Sequence, residues 1–325
     1  MVVKTITLVA WFVGSYVLLV FAASSIATVL LSCASLVLAT AGMAFGVQHD
    51  ANHGAYAKSA LTNRILGLTL DMIGASSFLW RVKHNIAHHT YTNVEGADDD
   101  MSVGVLARLA PEQRHLAVHS LQHFYLWPLY GLLLLKYHFA YDFKNLVRGR
   151  VGSTRFKRPK GWDLVEVIVG KLAFVALAFV VPAIAHPLWA VALCYLAVTF
   201  GSSVILAVTF QLAHCVEKAE FASADSAGRL PMGWAAHQVA STVDFAPKNR
   251  VLTWYVSGLN HQVEHHLFPR VCHVHYPALA VIVKRVCLEH GVRFNEQPTL
   301  RAAIASHWRW LRRMGKAPEL QPSHC

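Results

Sequence analysis

Charge is what this chain of 325 residues has least of. Asp, Glu, Lys and Arg make up only 14% of it while hydrophobic residues make up 55%, whereas soluble globular domains carry about 25% charged residues. That shortage excludes an ordinary soluble domain and points to an integral membrane protein. Cysteine is sparse as well. Cys33, Cys194, Cys215, Cys272, Cys287 and Cys325 are dispersed, with no C-x-x-C, which argues against a disulfide scaffold. There is no repeat of fixed period and no low-complexity tract. The net charge of +11 does not indicate nucleic acid, because a membrane protein keeps its Lys and Arg on the cytoplasmic side for topological reasons.

What the chain does have is long apolar runs. Residues 6–22 and 26–46 are separated only by a small turn at Ser24 and Ser25, and residues 165–185 and 188–213 by His186-Pro187. Each run is about long enough to cross the hydrocarbon core, so four spans in two hairpins are expected. The first run has a second reading, a cleaved signal peptide with Lys4 as its basic end and Ala22–Ser24 as its cleavage site. Asn63 to Trp80 is apolar but broken by Arg64, Asp71 and two glycines, which suits a helix at the interface or dipping into the membrane. His123 to Phe143 is aromatic-rich, and Trp127-Pro128 is expected to break or kink it. It reads as interfacial rather than spanning.

Counting basic residues orients these runs. Of 29 Lys and Arg, 14 lie in 47–163 and 13 in 215–325, leaving Lys4 and Lys171. The positive-inside rule places both large regions in the cytoplasm. The second and fourth spans then run toward that side, with last turns ending at His49 and His214. The expected architecture is one all-α integral membrane domain over 1–325, with a cytoplasmic cap made from 47–163 and 215–325.

Histidines gather at that same side. They occur as His49-Asp50-Ala51-Asn52-His53, His84-Asn85-Ile86-Ala87-His88-His89 and Gln262-Val263-Glu264-His265-His266. On helices, His49/His53 and His84/His88 share a face and are close enough to share a metal. Gln262 stands three and four residues before His265 and His266. Neutral imidazole ligates iron, zinc, copper and nickel, so the spacing indicates a metal without selecting one.

With these three stretches in this order, the sequence resembles the integral-membrane fatty acid desaturases from about Gly46 to Arg313. The family's boxes match H-D-A-N-H at 49–53, H-N-I-A-H-H at 84–89 and Q-V-E-H-H at 262–266. Glutamine opening the third box resembles the front-end, acyl-lipid branch. The resemblance implies a non-haem diiron centre with His49, His53, His84, His88, His89, His265 and His266 as ligands. It adds His214 in Gln211-Leu212-Ala213-His214, and Gln262, bound directly or through water. It implies dioxygen as co-substrate and dehydrogenation of a fatty acyl chain carried by a lipid, coenzyme A or acyl carrier protein. A cytochrome b5 domain with its H-P-G-G motif, fused in eukaryotic front-end members, is not present in the sequence. The electron donor is therefore expected to be a separate ferredoxin or cytochrome b5. The stand-alone bacterial members are the nearer likeness, which implies the bacterial inner membrane with the active site on the cytoplasmic side. Some of those act on carrier-protein thioesters and make alkynes, so acetylenase or hydroxylase chemistry is the alternative. A metal transporter would need polar groups near the bilayer midplane, and only Lys171 lies inside a span.

Other residues take plainer expectations. Asp50, Glu95, Asp98 and Glu264 lie where carboxylates accept the free N–H of ligating imidazoles, or are surface charge. His115, His119 and His123, at i, i+4, i+8, read as the polar face of a cap helix. His261, His273 and His275 read as structural. Asp71 is expected to face a polar interior or the interface. Seven basic residues between Lys144 and Lys160 fit anionic lipid contact or docking of an acidic protein. The stretch Thr299 to Arg313 carries Leu300, Ile304, Leu311, four arginines and two tryptophans, the pattern of an interfacial anchor.

Overall fold

The computed structural model describes residues 1–101, 103–225, 227 and 229–317; Cys325 lies outside them. The described residues are mostly helical, and among them four helices are long and apolar enough to cross a membrane: Val2–Ala22, Ile26–Asn52, Trp162–Ala185 and Leu188–His214. The two hairpin turns are set locally. Ser25 Oγ accepts from the Thr28 N–H while Thr28 Oγ1 accepts from the Ser25 N–H, a capping box that starts the second span. Pro187, in extended conformation, precedes the first turn of the fourth.

Three span boundaries differ from the sequence reading. The first helix begins at Val2 and takes Lys4 into a buried position, where its ammonium donates to Ser257 Oγ at 2.8 Å and meets His273 Nε2 at 3.0 Å. The first run is thus packed into the fold. The second span continues past residue 46 through a π-helical stretch, Ala44–Gln48, into the turn bearing His49. The third begins at Trp162. Lys171 within it is satisfied by Asp142 Oδ2 and the Gly74 carbonyl, both at 2.6 Å, as a charge at that depth requires.

Between the hairpins, Ala60–Met72 and Ser77–His88 form a bent pair turning by 108°. The chain changes direction sharply between the two helices. Asp71 sits at the bend, buried, accepting from the Ser77 N–H, and it packs against Gly170, where a Cβ would come within 2.6 Å of it. Of the two settings expected for Asp71, the structure places it in the interior. Pro128 does not break its helix, which runs Gln122–Leu129 with the proline inside; the change to 3-10 geometry comes just after it, at Tyr130–Leu132. Proline at this position takes one i→i−4 bond out of the last turn, and the α geometry gives way directly after it. This segment packs along the fourth span.

The C-terminal helix, Leu300–Met314, is a correction. Its apolar face is covered by protein rather than lipid: Trp310, Leu311 and Met314 are buried with Leu109, Ala110, Leu126 and Tyr130, Ala303 packs with Leu212 and Phe245, and the Trp310 indole donates to the Leu109 carbonyl. His115, His119 and His123 are a second. They do not share a helix face: His119 is buried and bonded to the Leu116 N–H and the Val105 carbonyl, His115 meets the Gly315 carbonyl, and His123 packs on Trp308. His115 and His123 thereby fasten the C-terminal helix.

Candidate metal centre

The first box behaves as an α-helical turn. The His53 N–H donates to the His49 carbonyl, and the two rings stand 4.7 Å apart. The second box does not. Arg81–His88 is π-helical, with the His89 N–H donating to the His84 carbonyl five residues back. The wider turn brings His89 to His84, their Nε2 atoms 3.3 Å apart, while His88 stacks on His84 at 5.2 Å as the sequence spacing predicts. In the third box, His265 and His266 have perpendicular rings 5.3 Å apart. Adjacent histidines therefore address different places.

Two groups result. The ligand atoms of His49, His53, His84 and His265 all lie within 4.8 Å of one another, as do those of His88, His214 and His266. His89 links them through a third set with His265 and His266. Gln262 lies against His214, Nε2 to Nε2 at 2.9 Å. All nine side chains are buried.

Their backs are tied and their fronts are free. His88 Nδ1 donates to Asp98 Oδ2 at 2.9 Å, and Asp98 is itself held by the N–H groups of Asn93 and Asp100. His266 Nδ1 donates to Gln238 Oε1 at 2.8 Å; His265 Nδ1 faces the Tyr276 hydroxyl at 3.2 Å; Trp80 stacks on His84 at 4.3 Å. By contrast, Nε2 of His49, His53, His265 and His266, Nδ1 of His89 and His214, and Oε1 of Gln262 have no hydrogen-bond partner. Each such buried orphan costs about 1–3 kcal/mol. Burial, and then the neighbouring imidazoles, push the pKa of His265 and His266 well down, so neutral rings present lone pairs to a common space. A bound metal ion would satisfy that arrangement, and neutral nitrogen donors suit first-row metals, iron among them.

Comparison with known proteins agrees. The profile of the fatty acid desaturases matches residues 7–298. The sn-1 linoleoyl-lipid 6-desaturase of Synechocystis sp. is 40% identical over 98% of this chain and 89% of its own length. That of Arthrospira platensis is 35% identical over 98% and 87%, and the acyl-lipid (8-3)-desaturase of Physcomitrium patens 36% over 97% and 66%. The chain belongs to the fatty acid desaturase family.

The carboxylates named from the sequence fall into different places in this desaturase. Asp98 backs His88. Asp50 is 4.0 Å from His49 Nδ1 and accepts instead from His273 Nδ1 at 2.8 Å. Glu95 is exposed and bonded to Gln113, away from every box. Glu264 is fully buried beside Asp244 and His261 and touches no box histidine through a hydrogen bond; burial and the Asp244 carboxylate raise its pKa to about 10. His275 is exposed.

Several residues escaped the sequence reading. Gln238 is far from the boxes in sequence and Tyr276 lies ten residues beyond His266, and nothing local marks either. Asn93 has a signal: it adopts a positive φ of 59°, which Asn tolerates better than most residues, in a T-N-V-E-G turn. Its amide donates to the carbonyls of His214 and Ser241 at 3.0 Å each, joining the second box to the end of the fourth span. Beside the histidines lies a mostly apolar cavity of about 320 Å³, lined by His84, His88 and His214 on one side and by Leu126, Leu206 and Phe210 among others.

Proposed function

We propose that this desaturase introduces a double bond into an acyl chain of a membrane lipid at two non-haem irons. The proposed ligands are His49, His53, His84, His88, His89, His214, Gln262, His265 and His266. One observation carries the reading: a buried ring of imidazoles with unpartnered inward nitrogens opens directly on an apolar cavity. The iron pair, when bound, supplies the oxidising power of dioxygen needed to cleave two unactivated C–H bonds. Two hydrogens leave adjacent carbons, and with two electrons and two protons from a donor the dioxygen ends as two waters.

The protein's own contribution is placement. The cavity wall lays a chain of methylenes against His84, His88 and His214, and its leucines and Phe210 keep water away. Asp98, Gln238 and Tyr276 hold three imidazoles by their Nδ1 atoms, so that their Nε2 atoms face inward. The lipid substrate is supported by the relatives, named for linoleoyl-lipid and acyl-lipid, and by glutamine opening the third box. The distribution of Lys and Arg supports a cytoplasmic active site, in the inner membrane of a bacterium, with a ferredoxin or cytochrome b5 as donor. The test is mass spectrometry of lipid-bound and thioester-bound fatty acids from cells expressing the protein or His265→Ala. An olefin absent from the variant supports the reading; a hydroxylated product replaces it with hydroxylation.

A further inference from the structure

A second and larger cavity, about 590 Å³, lies among the four spans, lined by Phe12, Leu36, Thr40, Phe174 and other residues reaching to the opposite end of the bundle. It abuts the metal-side cavity. Ile73 and Leu134 line both, one contributed by the bend between Ala60–Met72 and Ser77–His88, the other by the segment packed on the fourth span. Both are buried and belong to one packed cluster with Ala44, Leu70, Ala75 and Leu206. The small residues Ala44 and Ala75 border only the metal side, so the space there extends up to these two side chains and stops.

The backbone on both sides of this partition is fixed. The Ile73 carbonyl accepts from His138 Nε2 at 3.0 Å, and His138 Nδ1 in turn accepts from the Tyr195 hydroxyl at 2.7 Å. The next residue, Gly74, has φ of +98° and lies so close to the His138 ring that a Cβ would meet it at 2.5 Å. The Leu134 N–H donates to Ser203 Oγ at 3.0 Å. A wall whose main chain is pinned by a histidine, a serine and a glycine turn yields little to a chain that presses on it.

Resting on the desaturase reading above, we propose that Ile73 and Leu134 are specificity-determining residues. They close the acyl cavity and set the longest segment of substrate that fits beyond the reacting carbons. One methylene more or less in an apolar pocket changes discrimination by about 10–200-fold, so a rigid floor gives a sharp limit on chain length. Removing the floor joins the cavity to the larger one behind it.

The experiment uses the full-length protein in cells fed fatty acids of graded length that share the position of attack relative to the carboxyl end. Products are measured by mass spectrometry and iron per chain in purified protein. Three forms are compared: the natural protein, Ile73→Ala/Leu134→Ala, and Ile73→Phe, which thickens the floor. The proposal expects the limit to move to longer chains in the first variant, with at least about a tenfold gain in long over short products, and to shorter chains in the second. Iron content stays unchanged in both. An unchanged limit in iron-loaded variants overturns the proposal while the desaturase reading stands. No olefin from the natural protein overturns both. If the enlarged variant does not retain iron, the filled variant alone decides, by lowering the limit or leaving it where it was.

Discussion

His88 and His89 are neighbours in sequence and serve different parts of the site, set apart at the end of the π-helical turn with their rings 5.7 Å apart and nearly perpendicular. His88 is aimed by Asp98, whose carboxylate is fixed by two backbone N–H groups. Asp98→Asn is expected to keep the fold and to lower iron affinity or activity by about 10–100-fold, since an amide no longer favours a protonated Nδ1 and an Nε2 free for the metal; iron titration of the purified variant checks this. Unaltered iron binding would remove Asp98 from its role. Asp98 was legible because it closes the turn after the second box. Glu95, equally near in sequence, was not separable from it: the turn at Asn93 and Gly96, both at positive φ, carries Glu95 outward. Gln238 and Tyr276 could not be found, because they approach from elements whose place depends on how the cap folds.

At the scale of elements, the first box followed ordinary α spacing and the second did not. A π-helical stretch changes which residues share a face, and no periodicity in the eight residues from Arg81 to His88 announces it. The helical nature of the C-terminal segment was clear from its pattern, but not what its apolar face meets, since lipid and protein demand the same residues. Its seat is held by His307, whose Nδ1 donates to the Cys215 carbonyl and whose Nε2 accepts from the Tyr130 hydroxyl, each at 2.7 Å. Burial lowers its pKa to about 4, against about 6.5 in an unfolded chain. The unfolded state therefore takes the proton first. The stability His307 contributes is complete above about pH 6.5 and is lost as pH falls toward 4. His307→Gln should start with a lower thermal midpoint and lose less of it across that window; parallel curves would contradict the assignment. The bend between Ala60–Met72 and Ser77–His88 gives a third test. Gly170→Leu forces a side chain onto Asp71 and should cost about 1–3 kcal/mol, read as a lower thermal midpoint, while Gly14→Leu, with open space around it, should cost far less.

For the whole molecule, the four spans were legible because crossing a membrane imposes length and apolarity together, and the basic residues set the orientation proposed for them. The cavities were not, since they are made by residues from every span. The assembled centre ties the first two spans' hairpin to the rest of the chain, so removing its metal should be felt globally. Stripping iron with a chelator is expected to lower the thermal midpoint, and ferrous iron to restore it. A site filled at a hundred times its dissociation constant contributes about 2.7 kcal/mol. The exposed Arg155, Lys157 and Arg158 are the proposed landing for an acidic electron donor. Reversing their charge should raise the Michaelis constant for that donor, most at low salt; unchanged kinetics would leave them to lipid contact.

The central claim, that the buried imidazoles and the apolar cavity together form an iron-dependent desaturase site, is tested most directly by one paired measurement: fatty acid products and iron per chain, in membranes carrying the natural protein or His265→Ala. The account predicts a new olefin and close to two irons in the natural protein, and loss of both in a variant that still inserts. Substantial olefin from the iron-poor variant would contradict it.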